Sequence, residues 1–444
     1  MLDKVKSSIA GIASKVAAKA TEVNTRVAHN AKKQEEDQYV VGLDIGTEFV
    51  KALIGRVNGD GLEVIGVGRA RQDLSDMQAG AIADIASVVE NCDKALNDAE
   101  QQAGVSARTA VIGIAGELVK GMTTTVRVSR KSADKPLDLA EMERIIKLVQ
   151  GRAEAKAKQQ LAWELGGKEV EVRLVNSALV GIEIDGYKVT SPIGFQGKDV
   201  VVQLYTAFAP LIHIGALERT AQQLDLDLLA VAAEPFAVSR SMIGDDTSAS
   251  MNAILMDVGG GTTDIAVITD GGVQGTKMFG IGGRAYTRAV ERALNVEFST
   301  AEELKIGLGT GKVPQAKRAA VEGALERTLD VWMSGVELAL AEFEKLDHLP
   351  NKLLLCGGGS SLDLLMDKLA DSNWHTKLPF TKKPQVQHIQ PGEVVGIIDK
   401  TGDVTDHTFI TAMGLLRVGL DTLQFASSAS NGSIRDKIDK VLRT

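Results

Sequence analysis

Aromatic residues make up only 4% of this 444-residue chain, so a stacking surface for single-stranded nucleic acid is not expected. Basic charge is also short. Lys and Arg number 50 against 58 Asp and Glu, and the formal net charge of -8 argues against nucleic acid as a partner. Two cysteines, Cys92 and Cys356, cannot build a disulfide framework or, unaided, a zinc site, and they fit a reducing compartment. No apolar run approaches the roughly 18 residues of a membrane-spanning helix. The N-terminus carries scattered charges and no secretory apolar region. These absences predict a soluble intracellular protein.

What the chain has is length and glycine. A run of 444 residues suits two or three domains. Its 45 glycines fall largely in short clusters directly after apolar runs, where the backbone must turn tightly or approach a ligand closely.

Two segments carry the strongest pattern. The first is Leu43-Asp44-Ile45-Gly46-Thr47-Glu48-Phe49-Val50-Lys51-Ala52-Leu53-Ile54. The second is Met256-Asp257-Val258-Gly259-Gly260-Gly261-Thr262-Thr263-Asp264-Ile265-Ala266-Val267-Ile268. Each reads as a β-rich run, an Asp, a Gly-Thr turn and a second β-rich run, which describes a hairpin with an aspartate at its tip. Turn glycines let backbone N–H groups converge on phosphate oxygens, and threonine hydroxyls add donors. An aspartate beside bare phosphate would repel it, so its presence points to a magnesium ion, held directly or through water. Two copies roughly two hundred residues apart predict two related halves facing each other with a nucleotide between them. Other phosphate motifs fail. Gly307-Leu308-Gly309-Thr310-Gly311-Lys312-Val313 has the wrong spacing for a Walker loop, with Val313 where Ser or Thr should ligate magnesium.

Both ends of the chain read as amphipathic helices. Leu2, Val5, Ile9, Ile12, Val16, Ala20, Val23 and Val27 share one stripe of a basic, acid-poor segment over 1–33. That segment suits a packing helix, a membrane-surface or partner helix, or a transit peptide. After a Ser-rich linker, Ile434, Ile438, Val441 and Leu442 share a face ringed by Arg435, Lys437, Lys440 and Arg443. The piece is too short to be helical alone in water.

At this point the residues resemble the actin/Hsp70/sugar-kinase superfamily, and within it the bacterial cell-division family FtsA. Asp44–Lys51 looks like the first phosphate loop of that superfamily and Asp257–Asp264 like the second. Leu229 to Ala237 resembles the first connecting segment, where the family places a group that orients the attacking water, here Glu234. Cys356-Gly357-Gly358-Gly359-Ser360-Ser361-Leu362 is similar to the adenosine loop, and Thr411–Leu416 to the second connecting helix. Glu302 and Lys305, three apart on a helical face, match a pair that contacts adenosine in several relatives. Ala110–Gly116, Leu174–Tyr187, Ser191–Gly197 and Val200–Ala209 resemble the inserted subdomain of FtsA. The pilus-assembly family PilM is similar too, especially at Glu234-Pro235-Phe236-Ala237.

The resemblance implies an α/β, actin-like (ribonuclease H-like) fold of two halves around a nucleotide cleft, with an FtsA-type insert. The expected division is an N-terminal helix and linker over 1–38, then a first half from 39–116, 208–250 and a returning helix over 409–425. The insert takes 117–207, the second half 251–408, a linker 426–433 and the C-terminal segment 434–444. The implied cofactors are ATP and Mg2+. Asp44 and Asp257 would hold the metal, and Glu234 would serve catalysis beside them. Gly46, Thr47, Lys51, Gly259, Gly260, Gly261, Thr262, Thr263, Asp264, Glu302, Lys305, Gly357, Gly358, Gly359 and Ser360 would bind the nucleotide.

Three functions fit. The first is an ATP-dependent polymer that tethers a tubulin-like, FtsZ-type division partner to the anionic inner face of the cell membrane. Leu2, Val5, Ile9 and Ile12, or Ile434, Ile438, Val441 and Leu442, would be its anchors, and it would be at most a slow ATPase. The second is a PilM-like ATP-binding scaffold of an envelope machine. The third is a small-molecule kinase, for which no sugar-binding motif presents itself. Glu234 can also be read as a plain carboxylate before a proline, Lys51 as a strand-face cap and Cys356 as packing.

Overall fold

The computed structural model describes residues 38–244 and 251–428. The terminal amphipathic segments, with Leu2, Val5, Ile9 and Ile12 at one end and Ile434, Ile438, Val441 and Leu442 at the other, lie outside the described residues, as does most of the 426–433 linker.

The chain opens with β1 (Tyr39–Ile45), β2 (Phe49–Asn58) and β3 (Gly61–Arg71), rich in Val, Ile and Leu as buried strands require. Helix α1 (Ile85–Ala103) follows, started by the Asp84 carboxylate, which accepts from the Ala86 and Ser87 amides, and closed by Gly104. Then come β4 (Thr109–Ile114), β5 (Lys120–Ser129), α2 (Leu139–Glu164), β6 (Val172–Ile184) and β7 (Asp199–Pro210). Next are α3 (Leu211–Gln223), β8 (Asp227–Ala233) and α4 (Glu234–Ile243). The second hairpin region holds β9 (Ala253–Val258), β10 (Thr263–Thr269) and β11 (Gly272–Phe279). Helices α5 (Gly283–Leu294), α6 (Phe298–Gly309) and α7 (Gln315–Ala341) lead to β12 (Lys352–Cys356) and α8 (Asp363–Asp371). The chain ends with β13 (Gln385–His388), β14 (Ile397–Asp399) and α9 (Ile410–Ser428).

These strands make two large sheets. The first runs β8-β4-β1-β2-β3-β14, with β4 parallel to both β1 and β8. The second has nine strands, in the order β13-β12-β9-β10-β11-β5-β7-β6 and the short edge strand Tyr187–Lys188. Each sheet carries one of the Asp-tipped hairpins, β1-β2 and β9-β10. The second hairpin is antiparallel in continuous register, so that Asp257 sits opposite Asp264.

The core of the second half gathers Ile254, Met256, Ile265 and Val267 against Trp332, Val336 and Leu325 of α7. A separate cluster of Val126, Met142, Ile146, Val200 and Val202 fills the region between α2 and its strands. That region interrupts the chain between β4 and β8, yet its strands continue the sheet of the second half. The junction is small, with Gly275 opposite Met122 and Thr276 opposite Gly121. Long-range edge pairing of this kind leaves no local trace in sequence.

Candidate functional site

Between the two sheets lies a cleft of about 620 Å³, and both hairpin tips open into it. Its walls include Asp44, Gly46, Thr47 and Lys51 from the first hairpin, and Asp257, Gly259, Gly260, Thr262 and Asp264 from the second. Glu234, Glu302, Lys305, Gly357, Gly358 and Gly359, also singled out by the sequence, line it too. The two hairpins touch. A Cβ placed on Gly261 would lie 2.7 Å from Thr47 Oγ1, and one on Gly260 would lie 3.0 Å from Glu48 Cβ.

Three expected nucleotide contacts are placed differently. Gly261 packs against Thr47 and does not line the cleft. The Thr263 hydroxyl is fully buried on the other face of β10, donating to Ile281 O and accepting from Trp332 Nε1 at 2.8 Å. Strand alternation is the reason, since Thr262 and Asp264 share one face and Thr263 must take the opposite one. Ser360 turns its hydroxyl back onto Gly357 O at 2.7 Å and is also fully buried.

The chemistry at the base of the cleft is four carboxylates around one amine. Lys51 Nζ donates to Asp44 Oδ2 at 2.9 Å. Burial draws the Lys51 amine down, but the charge and hydrogen bond of Asp44, with Asp257 behind it, outweigh burial and leave it above its ordinary value. Thr411, at the start of α9, donates to Asp257 Oδ2. Asp264 receives the Thr262 hydroxyl at 3.0 Å on Oδ2, while its Oδ1 is buried with no hydrogen-bond partner. Burial, reinforced by Asp257, pushes Asp264 well above the usual carboxylate range. Burial likewise raises Glu234, with Asp44, Asp264 and Asp257 adding to the shift and Lys51 opposing it. One ammonium does not balance this negative charge, so the site fits a cation brought by a ligand. Among the described residues no three His, Cys, Asp or Glu side chains form a group that could hold a metal ion.

Glu234 is set at the first position of α4, where Pro235 costs the helix no hydrogen bond because its missing N–H would be an orphan anyway. Beside it a small cavity of about 20 Å³, lined by His213, Gly113 and Ile45, separates α4 from α3. Cys356 is fully buried, and burial with the nearby Asp257 charge pushes its thiol well up, so it packs as the neutral form. At the far wall Lys305 Nζ is buried and binds Glu302 at 2.8 Å, Thr287 Oγ1 at 3.0 Å and Gly283 O at 3.2 Å.

A charge cluster in the wall of the cleft joins the two halves, and sequence reasoning missed it. Glu48, at the first hairpin tip, accepts from Arg71 of its own half at 2.8 Å. It also accepts from Arg284 of the other half at 2.8 Å. The Arg284 guanidinium reaches on to the carbonyls of Asp73 and Leu74. The signal available in sequence was the Gly282-Gly283 pair, where a Cβ on Gly282 would lie 2.6 Å from Gly259 O. The Gly283 and Arg284 amides donate to Gly259 O and Gly260 O, which brings Arg284 to Glu48.

Gly357 adopts φ +81, and a Cβ there would lie 2.0 Å from Asp257 Oδ1. Gly357→Ala is therefore expected to lower stability by about 1–3 kcal/mol from a backbone conformation open essentially to glycine alone, and further by displacing Asp257. Thermal unfolding of the variant against the parent measures it, and a change within error would contradict the placement.

Known proteins resemble this arrangement. Residues 254–414 match the family model described as "Cell division protein FtsA". The cell division protein FtsA of Pseudomonas aeruginosa is 27% identical over 407 residues, covering 87% of this chain and 90% of that protein. The Neisseria meningitidis protein of the same name is 24% identical over 425 residues, covering 91% and 95%. A solved structure of a PilM-PilN type IV pilus biogenesis complex superposes with a TM-score of 0.62 at 17% identity, covering 86% of this chain and 98% of that one. The resemblance to FtsA read from the sequence holds, and the fold is actin-like.

Proposed function

We propose that this FtsA-like chain is an ATP-binding, actin-like cell-division protein. It assembles head to tail and tethers a tubulin-like, FtsZ-type partner to the anionic cytoplasmic face of the membrane at the division site. The observation that carries the reading is the pair of Asp-tipped hairpins, Asp44 and Asp257, meeting in one cleft with Lys51 between them and Asp264 Oδ1 buried and unpaired. Similarity along nearly the whole chain to cell-division proteins supports it.

In this reading the backbone amides of Gly46, Thr47, Gly259, Gly260 and Thr262 cradle the phosphates. Glu302, Lys305 and the Gly357–Gly359 turn hold the nucleoside end. Asp44 and Asp257 would hold Mg2+, directly or through water, and the ion would supply the positive charge that the carboxylate cluster lacks. Glu234 orients the attacking water. Phosphoryl transfer depends mostly on placement and charge, so one carboxylate suffices for slow hydrolysis.

A closed cleft would favour the polymerising conformation. Head-to-tail contacts that do not close would extend as filaments. No described helix is long and apolar enough to cross a membrane. Attachment would therefore fall to the terminal segments, each weak alone and multiplied by avidity in a polymer.

The test is purified protein on anionic lipid monolayers with ATP, ADP or no nucleotide, imaged by negative-stain electron microscopy. Truncations lacking residues 1–33 or 434–444 are run beside the full chain. ATP-dependent filaments lost with one terminus are the expected result. Monomers in every condition, with nucleotide still bound, would replace this reading with a PilM-like scaffold or a kinase.

A further inference from the structure

The segment between β4 and β8 holds the Glu234 end of α4 at two points. At the first, the Ala233 amide, one residue before Glu234, donates to Asn176 Oδ1 of β6 at 2.8 Å. Asn176 reaches it from a bulge. It lies opposite Ala207, while the next residue of β7, Phe208, lies opposite Leu174, leaving Val175 as the extra residue. Bulges re-aim side chains, and this one places an amide oxygen at the entry of a helix that has no side-chain cap of its own. At the second point, the fully buried Tyr205 of β7 stacks on Phe236 of α4, rings 5.6 Å apart and 4° from parallel. The Tyr205 hydroxyl meets Thr276 Oγ1 of the second half at 3.2 Å.

We infer that Asn176 is a positioning residue for Glu234, so that the inserted strands set the hydrolytic competence of the cleft. The inference rests on the proposed role of Glu234 in orienting water. Without Asn176 Oδ1 the Ala233 amide loses its acceptor and the first turn of α4 is free to shift. A displacement of about 1 Å at a catalytic group costs up to roughly a hundredfold in rate. ATP affinity is carried by other residues and stays.

The experiment compares the full chain with Asn176→Ala, Asn176→Asp and Glu234→Gln. It measures kcat and KM for ATP, equilibrium affinity for a fluorescent ATP analogue, and hydrogen exchange of the peptide spanning 227–236. Asn176→Ala is expected to lower kcat about tenfold or more, to leave KM and affinity within about twofold, and to speed exchange at Ala233. Asn176→Asp keeps the acceptor and is expected to recover kcat to within about threefold. If Asn176→Ala does not fold, Asn176→Ser, too short to reach the amide, takes its place. Wild-type kcat in Asn176→Ala beside an inactive Glu234→Gln overturns the inference alone. Equal loss in the Ala and Asp variants also overturns it. A Glu234→Gln protein as active as wild type overturns the reading of Glu234 and the inference with it.

Discussion

Glu234→Gln is expected to slow ATP hydrolysis by about 10²–10³-fold while ATP binds as tightly as to the parent, or more tightly. The substitution keeps the side chain's shape at the first position of α4 and removes one charge from a buried group that already holds Asp44, Asp257 and Asp264. Repulsion among these carboxylates opposes the approach of a polyanionic nucleotide, so removing a charge relieves binding as it disables the water. The pH dependence has a definite sign. Burial and the neighbouring aspartates raise the Glu234 pKa, so the ionised form is lost first as pH falls, beginning above the ordinary carboxylate range. Wild-type hydrolysis should therefore fall on acidification, and the residual rate of Glu234→Gln should not follow it. Single-turnover hydrolysis and equilibrium binding, each across pH, measure both effects. Hydrolysis within threefold of wild type would remove Glu234 from the chemistry.

The site was legible where its signal is local. A hairpin is a short-range object, and the Asp, Gly and Thr residues at its tip declare the turn and the charge together. Asp44 and Asp257 could therefore be named without knowing how the halves meet. The same locality explains the misplacements. Reading the Gly-Gly-Gly-Thr-Thr-Asp run as one loop assigned all its side chains to the ligand. In the fold the strand begins at Thr263, whose hydroxyl is spent on Trp332, a partner 69 positions away. Ser360 was grouped with its glycines for the same reason, and it satisfies the turn itself. What could not be read is whatever joins distant segments. The Glu48–Arg284 contact spans 236 positions, and the sheet shared by β5 and β11 rests on two residue pairs. Neither leaves a periodicity in the chain.

Two helices carry the contacts at the base of the cleft, and a buried carboxylate joins them farther along. Helix α4 begins with Glu234 and α9 begins beside Thr411, which binds Asp257. Lower down, Asp421 of α9 accepts from Arg240 of α4 at 2.8 Å on Oδ2 and from Arg417 at 2.8 Å on Oδ1. The Asp421 and Arg417 side chains are each 3% exposed, and Arg417 also donates to Val395 O. Two guanidiniums share one buried carboxylate, and taking it away removes the anion between the buried Arg417 and the partly exposed Arg240.

Asp421→Ala is therefore expected to cost about 3–5 kcal/mol, read as a fall in the thermal unfolding midpoint. Asp421→Asn, which keeps the hydrogen-bond acceptor but not the charge, should lie between. Replacing Arg417 and Asp421 together by Met and Leu should recover much of the loss, because the penalty comes from stranded charge and not from the missing pair. A cost below about 1 kcal/mol for Asp421→Ala, the range of an exposed ion pair, would show that the helices are held by their apolar faces alone. The fastening matters for function because α4 carries Glu234 and α9 carries Thr411 into the base of the cleft. If the Asp421 contact helps set both helix starts, the same variant should lose hydrolysis at temperatures well below its unfolding midpoint.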